Sequence, residues 1–200
     1  MKKISTFILF CVGIMLPLQI SVIAQTQYKV LATKKTSTMQ KEMQEAADGG
    51  YRFEGVSGGK TSFGGSEVLI VMSKKSDVDT SGRFQYKLLA TSKTSTMQKE
   101  IQETGDNGFE YKGQAVFDSF IGGDEVVVII EKDTKAESKK LEYKLFATKK
   151  TSTMQKEINE GSAAGYEYVG VTVGQTLIGG SEVVIIMRRD AKSLDRIIKP

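Results

Sequence analysis

Histidine and tryptophan do not occur in this 200-residue chain, cysteine occurs once, at Cys11, and proline twice. Without imidazole, no Ser-His-Asp or Cys-His nucleophile can be assembled, and the usual zinc ligand sets and histidine acid–base chemistry go with it. Paired carboxylates or a lysine survive this elimination as catalysts, but no residue pattern points to them. A dominant charge is also missing: 28 basic residues face 24 acidic ones. That balance gives no clearly basic face, so nucleic acid is not an expected partner.

What is present begins with a secretory signal. Lys2 and Lys3 open it, Phe7 to Leu18 form an apolar centre, and Val22 and Ala24 stand where a signal peptidase reads. Cleavage is expected after Ala24, leaving Gln25 first and placing the mature chain in the periplasm or outside the cell. Pro17, Gln19 and Ser21 interrupt the apolar run, so a retained anchor is the weaker reading and stable membrane insertion is not expected. Cys11 follows Phe10, where a lipobox wants a small residue, so a lipid anchor is weaker still. Cleavage removes Cys11, Lys2 and Lys3, leaving 26 basic residues against 24 acids, a mature charge of +2. An exported chain without disulfides must be held together by packing alone.

The rest is one unit written three times. Tyr28-Lys29 returns as Tyr86-Lys87 and Tyr143-Lys144, at offsets of 58 and 57. Thr36 to Glu42 returns unchanged as Thr94 to Glu100 and Thr151 to Glu157. Gly50, Gly108 and Gly165 keep the same offsets, as do the pairs Gly64-Gly65, Gly122-Gly123 and Gly179-Gly180. The organisation is a signal peptide (1–24), repeat 1 (25–75), a linker (76–84), repeat 2 (85–132), a linker (133–141), repeat 3 (142–190) and a tail (191–200). Leu194, Ile197 and Ile198 in the tail are spaced for a short helix.

Each copy reads as β-α-β-β, so the fold class is α+β. An alternating strand from Tyr28 to Thr33 leads to a helix opened by Ser37 with Gln40 as a capping box. Its apolar stripe is Met39, Met43 and Ala46 or Ala47, then Met97 and Ile101, then Met154 and Ile158. Lys41–Glu45, Lys99–Glu103 and Lys156–Glu160 are spaced to pair along it. The glycine at Gly50, Gly108 or Gly165 stops the helix. A hairpin is expected to turn near Gly59-Lys60, Asp118-Ser119 and Gly174-Gln175, with a bulge at the Gly-Gly pair. The closing strand is apolar almost throughout, as in Val126 to Ile130, so it belongs in the middle of its sheet, covered on both faces. That gives an antiparallel order 1-3-2 with the helix on one face. The other face needs a cover, and another copy is the natural one, so the three units are expected to pack as one pseudo-threefold body.

Tyr28-Lys29-Val30, Gly108-Phe109-Glu110, Gly165-Tyr166-Glu167 and the strand Val183 to Arg189 carry a family pattern. By it the chain resembles a bacterial domain-of-unknown-function family of small β-α-β-β proteins, the 4177 family of that series. The resemblance covers each repeat almost fully. It departs in having Tyr or Phe where such proteins often carry Trp, and Arg52 instead of Glu in the first copy. It implies the fold and no activity, cofactor or site. In outline the topology is also similar to the dodecins, which bind flavin between subunits, an analogy of shape alone.

Candidate sites are few. Lys35, Lys93 and Lys150 recur without need of core or cap, beside Ser37 and Thr38, Ser95 and Thr96, and Ser152 and Thr153. A lysine next to free helix-start amides makes an anion site conceivable, though ordinary capping with a solvated lysine outweighs it. Glu67, Glu125 and Glu182 could gather near a threefold axis and bind a cation, and the aromatic residues of strand two could line a ligand surface. No copy looks specialised for catalysis, and no cofactor is indicated. The expected function is a non-catalytic binding or self-assembly module, with a homo-oligomer or envelope partner. The alternatives are a carboxylate-based hydrolase, or a protein that binds a small anion or a flavin-like ligand.

Overall fold

The computed structural model of the protein describes residues 25–61, 65–118, 124–176 and 180–191. The expected signal and the short helix at Leu194 to Ile198 lie outside them. Repeat 1 runs β1 (Thr26–Thr33), α1 (Thr36–Asp48), β2 (Arg52–Thr61) and β3 (Gly65–Lys75). Repeat 2 runs β4 (Phe84–Thr91), α2 (Thr94–Asp106), β5 (Glu110–Asp118) and β6 (Asp124–Asp133). Repeat 3 runs β7 (Leu141–Thr148), α3 (Thr151–Ala163), β8 (Glu167–Thr176) and β9 (Gly180–Asp190). Each repeat is a three-stranded antiparallel sheet with its closing strand central: β1-β3-β2, β4-β6-β5 and β7-β9-β8. The 1-3-2 order expected from the apolar closing strand is the one observed.

The helices end where the glycines permit. Gly50, Gly108 and Gly165 take φ of 89°, 79° and 81°, and the next residue's N–H bonds back to the Ala46, Thr104 or Gly161 carbonyl at 3.0 Å. Lys41–Glu45 and Lys156–Glu160 pair at 3.8 and 3.7 Å on exposed surface, where they add little.

One local expectation fails. Gly59, Lys60, Gly174 and Gln175 lie inside paired strands rather than in the turn, because pairing continues to Thr61↔Gly65 and Thr176↔Gly180. In repeat 2 pairing ends at Asp118↔Asp124, so all three hairpin tips fall outside the described residues. The bulge expected at the Gly-Gly pairs falls at residues that lie wholly or partly outside the described ones, and the shift that is described lies elsewhere. The register shifts in strand two, between Phe53 and Gly55, Tyr111 and Gly113, and Tyr168 and Gly170. In repeats 1 and 3 the second glycine of the pair stands opposite Thr61 or Thr176, with Gly65 at φ 147°.

The core explains why three copies cohere. Met39, Met43, Ala46 and Ala47 of α1 pack on Val68, Ile70 and Met72 of their own sheet and on Val127 and Ile129 of the next. Met97 and Ile101 of α2 repeat this between Val128 and Ile130 of their own sheet and Ile186 of repeat 3. Each of these helices is thus wedged between the front of its own sheet and the back of the following one. β6 is covered on both sides, and Val127 through Ile130 are fully buried. The connector ahead of β4 is stitched to the end of α1, with Thr80 Oγ1 donating to Gly50 O at 2.7 Å and Gly82 N to Ala47 O at 3.2 Å. It delivers Phe84, the first residue of β4, fully buried into the shared core.

Candidate functional site: the joint between repeats

The polar residues with unusual surroundings gather where one repeat meets the next. An edge strand such as β4 exposes unpaired backbone groups, a liability unless something covers them. Here α1 covers them with glutamines. Leu88 N donates to Gln40 Oε1 at 3.0 Å, Tyr86 N donates to Gln44 Oε1 at 3.1 Å, and Gln44 Nε2 donates to Phe84 O at 3.2 Å. α2 treats β7 in the same way. Leu145 N and Tyr143 N donate to Gln98 Oε1 and Gln102 Oε1, both at 2.8 Å. Gln98 Nε2 and Gln102 Nε2 return bonds to Tyr143 O and Leu141 O.

A tyrosine from the later repeat then enters the strand-two bulge of the earlier one. Phe53 N donates to Tyr86 Oη at 2.9 Å, and Tyr111 N donates to Tyr143 Oη at 2.8 Å. Glycine makes room for the aromatic residue of each bulge. A Cβ on Gly113 would meet the Phe53 ring and Val56, and one on Gly170 would collide with the Tyr111 phenol.

Charge locks the first joint. Arg52 lies over the Phe84 ring at 4.4 Å and donates to Glu131 Oε1 at 2.8 Å. Glu131, 2% exposed, also accepts from Tyr86 Oη at 2.5 Å and pairs with Lys112 at 3.1 Å. Burial would push this carboxyl up, but the Arg52 guanidinium, Tyr86 hydroxyl and Lys112 ammonium together hold it below the usual range. Tyr86 is pushed far up, by burial first and by Glu131 second. Nearby, the bidentate Arg83 guanidinium at 2.7 Å holds Asp133 down to about 2. At the second joint the signs reverse, with Glu110 of repeat 2 facing Arg188 of repeat 3 at 3.7 Å. Arg52 facing Arg188 would repel, so the pairs disfavour docking of repeat 1 directly on repeat 3.

A buried carboxyl with a displaced pKa is often a mark of catalysis. Glu131 is the opposite case: it is held ionised and saturated by three partners, with no proton to give. Among the described residues no three acidic side chains gather to hold a metal ion, so Glu67, Glu125 and Glu182 form no such cluster. Of the strand-two aromatic residues, Phe53 and Tyr111 are used in the joints, whereas Tyr168 is exposed.

The helix starts differ from expectation. Lys35, Lys93 and Lys150, not the serines, stand at the N-cap in extended conformation, and no side chain caps any of the three helices. The reason is Thr33, Thr91 and Thr148 at the strand ends, whose Oγ1 accepts the N–H of the lysine two residues on, at 3.2, 3.1 and 3.2 Å. That turn starts the helix one residue after the lysine, so Ser37, Ser95 and Ser152 and the threonines after them lie within the first turn. Gln40 closes no box, since its amide is spent on the next repeat. The three lysines are exposed, one per repeat. The hollow beside the start of α1 includes Glu100, and the one beside α2 includes Asp124 and Glu182. Those carboxylates oppose an anion there.

Sequence reading missed the glutamines, the paired tyrosine and bulge, and the Arg52–Glu131 pair. Gln40 and Gln44 are four apart and flank the methionine stripe, which was the available signal. No family model matches the chain, and no curated protein or solved structure was found to match it.

Proposed function

We propose that the chain is an exported, non-catalytic structural or binding module, one of the β-α-β-β family it resembles. The observation that carries this is the use made of its perturbed polar groups. Glu131, Arg52, Tyr86, Asp133 and Arg83 are paired with one another across or beside a joint, and although Arg52, Arg83, Glu131 and Asp133 line hollows there, each is committed to an ion pair or hydrogen bond. At the joints this polar chemistry goes into joining repeats. No helix among the described residues is long and apolar enough to cross a membrane. The leader at 1–24 supports export, which intact-mass measurement of the secreted chain tests: a mass beginning at Gln25 is expected.

The competing reading is a carboxylate hydrolase. Purified chain incubated with ester, glycoside and phosphoester substrates across acid to neutral pH is expected to show no turnover. Turnover abolished by one Glu→Gln or Asp→Asn substitution at unchanged melting temperature would overturn the proposal.

A further inference from the structure

The two joints leave half a joint at each end of the molecule. The back of the first sheet carries Tyr28, Val30, Leu69 and Val71, at the repeat positions of Tyr86, Leu88, Val127 and Ile129. In repeat 2 those residues are packed under α1. In repeat 1 no helix among the described residues lies over them, and Tyr28 is 69% exposed where Tyr86 and Tyr143 are each 3%. Gly55, which corresponds to Gly113 and Gly170, has nothing within 4 Å of a Cβ. At the other end, Met154 and Ile158 of α3 are only half-buried where Met97 and Ile101 are buried. Tyr168, the third bulge aromatic, is 52% exposed, and Gln155 bonds along its own helix to Asn159 at 3.2 Å. One end therefore offers the helix, glutamine and aromatic knob. The other offers the apolar back, the free edge strand β1 and the glycine notch.

We propose that the occupant of each end is a second copy of this chain, joined head to tail. In that joint α3 lies on β1 of the next chain as α1 lies on β4. Gln155 meets Val30 N, and Tyr168 enters the notch at Gly55. The same surfaces meet twice within one chain, and the two ends carry the corresponding residues at most positions of a third such joint. A repeat array normally closes its ends with polar caps, and these ends carry tyrosine and valine instead. The end surfaces are different from each other, so the contact is heterologous and adds chain after chain until a ring closes. It is also weaker than the internal joints. Asn159 is one methylene shorter than Gln44 and Gln102, and Ser73 stands where Glu131 and Arg188 supply an ion pair. Association is accordingly reversible.

The inference rests on the non-catalytic reading, but turnover would defeat that reading and a persistent monomer would defeat this one. The experiment is sedimentation velocity of the exported chain from micromolar to millimolar concentration. The expected result is mass rising past the dimer. Gly55→Ala, whose Cβ meets no neighbour within 4 Å in the chain, should keep its melting temperature when dilute and stay monomeric. Asn159→Gln should tighten association about fivefold, one additional hydrogen bond's worth. In a Val30→Cys, Gln155→Cys double variant, oxidation should yield a ladder of multimers, with neither single variant doing so. A chain that stays monomeric throughout, because its own tail or an unrelated partner covers these faces, overturns the proposal. So does a disulfide-linked dimer of the Val30→Cys single variant, which would be a symmetric contact.

Discussion

At the scale of single residues, Glu131 carries the most weight. A buried carboxylate is costly unless every lone pair is used, and here three cationic or hydroxyl donors use them. Glu131→Gln leaves Arg52 and Lys112 without their charge partner and should lower stability by about 2 kcal/mol, tempered because Arg52 is half exposed. The pH dependence follows from the direction of the shifts. Glu131 and Asp133 both have lowered pKa values in the fold, Asp133 at about 2. Their stabilisation is complete above the ordinary carboxylate range and is lost as pH falls through the lowered values. Thermal melts from neutral to pH 3 should show the gap between parent and Glu131→Gln narrowing at the acid end. A gap that widens there would mean that Glu131 is protonated in the fold.

At the scale of elements, the three helices share their first seven residues and differ in what they touch. α1 and α2 each carry two glutamines that bond the edge strand of the following repeat, whereas α3 carries Gln155 and Asn159, bonded to each other. The same truncation should therefore have different effects. Gln44→Ala or Gln102→Ala removes two bonds to strand backbone and should cost about 1 to 2 kcal/mol. Asn159→Ala, measured dilute, should leave the melting temperature within a degree or two. Equal losses at all three would show that the glutamines act on their own helices and not across the joint.

Much of the element layout was legible in the sequence because it is local and periodic. Val126 to Ile130 announced a strand covered on both faces, Met39 and Met43 a buried stripe, and Gly50 a left-handed stop. The joints were not legible, because their residues have an ordinary local meaning. Gln40 at a helix start reads as half of a capping box, and only the approach of Leu88 N shows that its amide faces outward. Gly113 and Gly170 look like flexible strand glycines until the aromatic residues of the preceding bulge fill the space. Ser37 misled for a similar reason: the turn that begins the helix is closed by Thr33, a strand residue, so the serine arrives two positions too late to cap it.

At the scale of the whole molecule, the repeats are interlocked rather than strung together. No front face with its helix is complete without the back of the next sheet, and an edge strand, a tyrosine and an ion pair cross the first joint. Such a body should unfold as a unit despite its repetitive sequence, since neighbouring repeats share one core. The most direct measurement is differential scanning calorimetry of the exported chain at low concentration, on the parent and on Glu131→Gln. A single transition is predicted, with calorimetric and van't Hoff enthalpies equal, and the variant should move that transition down without dividing it. Separate transitions for individual repeats in the parent, with Glu131→Gln shifting only one of them, would contradict the account of joints that bind the three repeats into one structure.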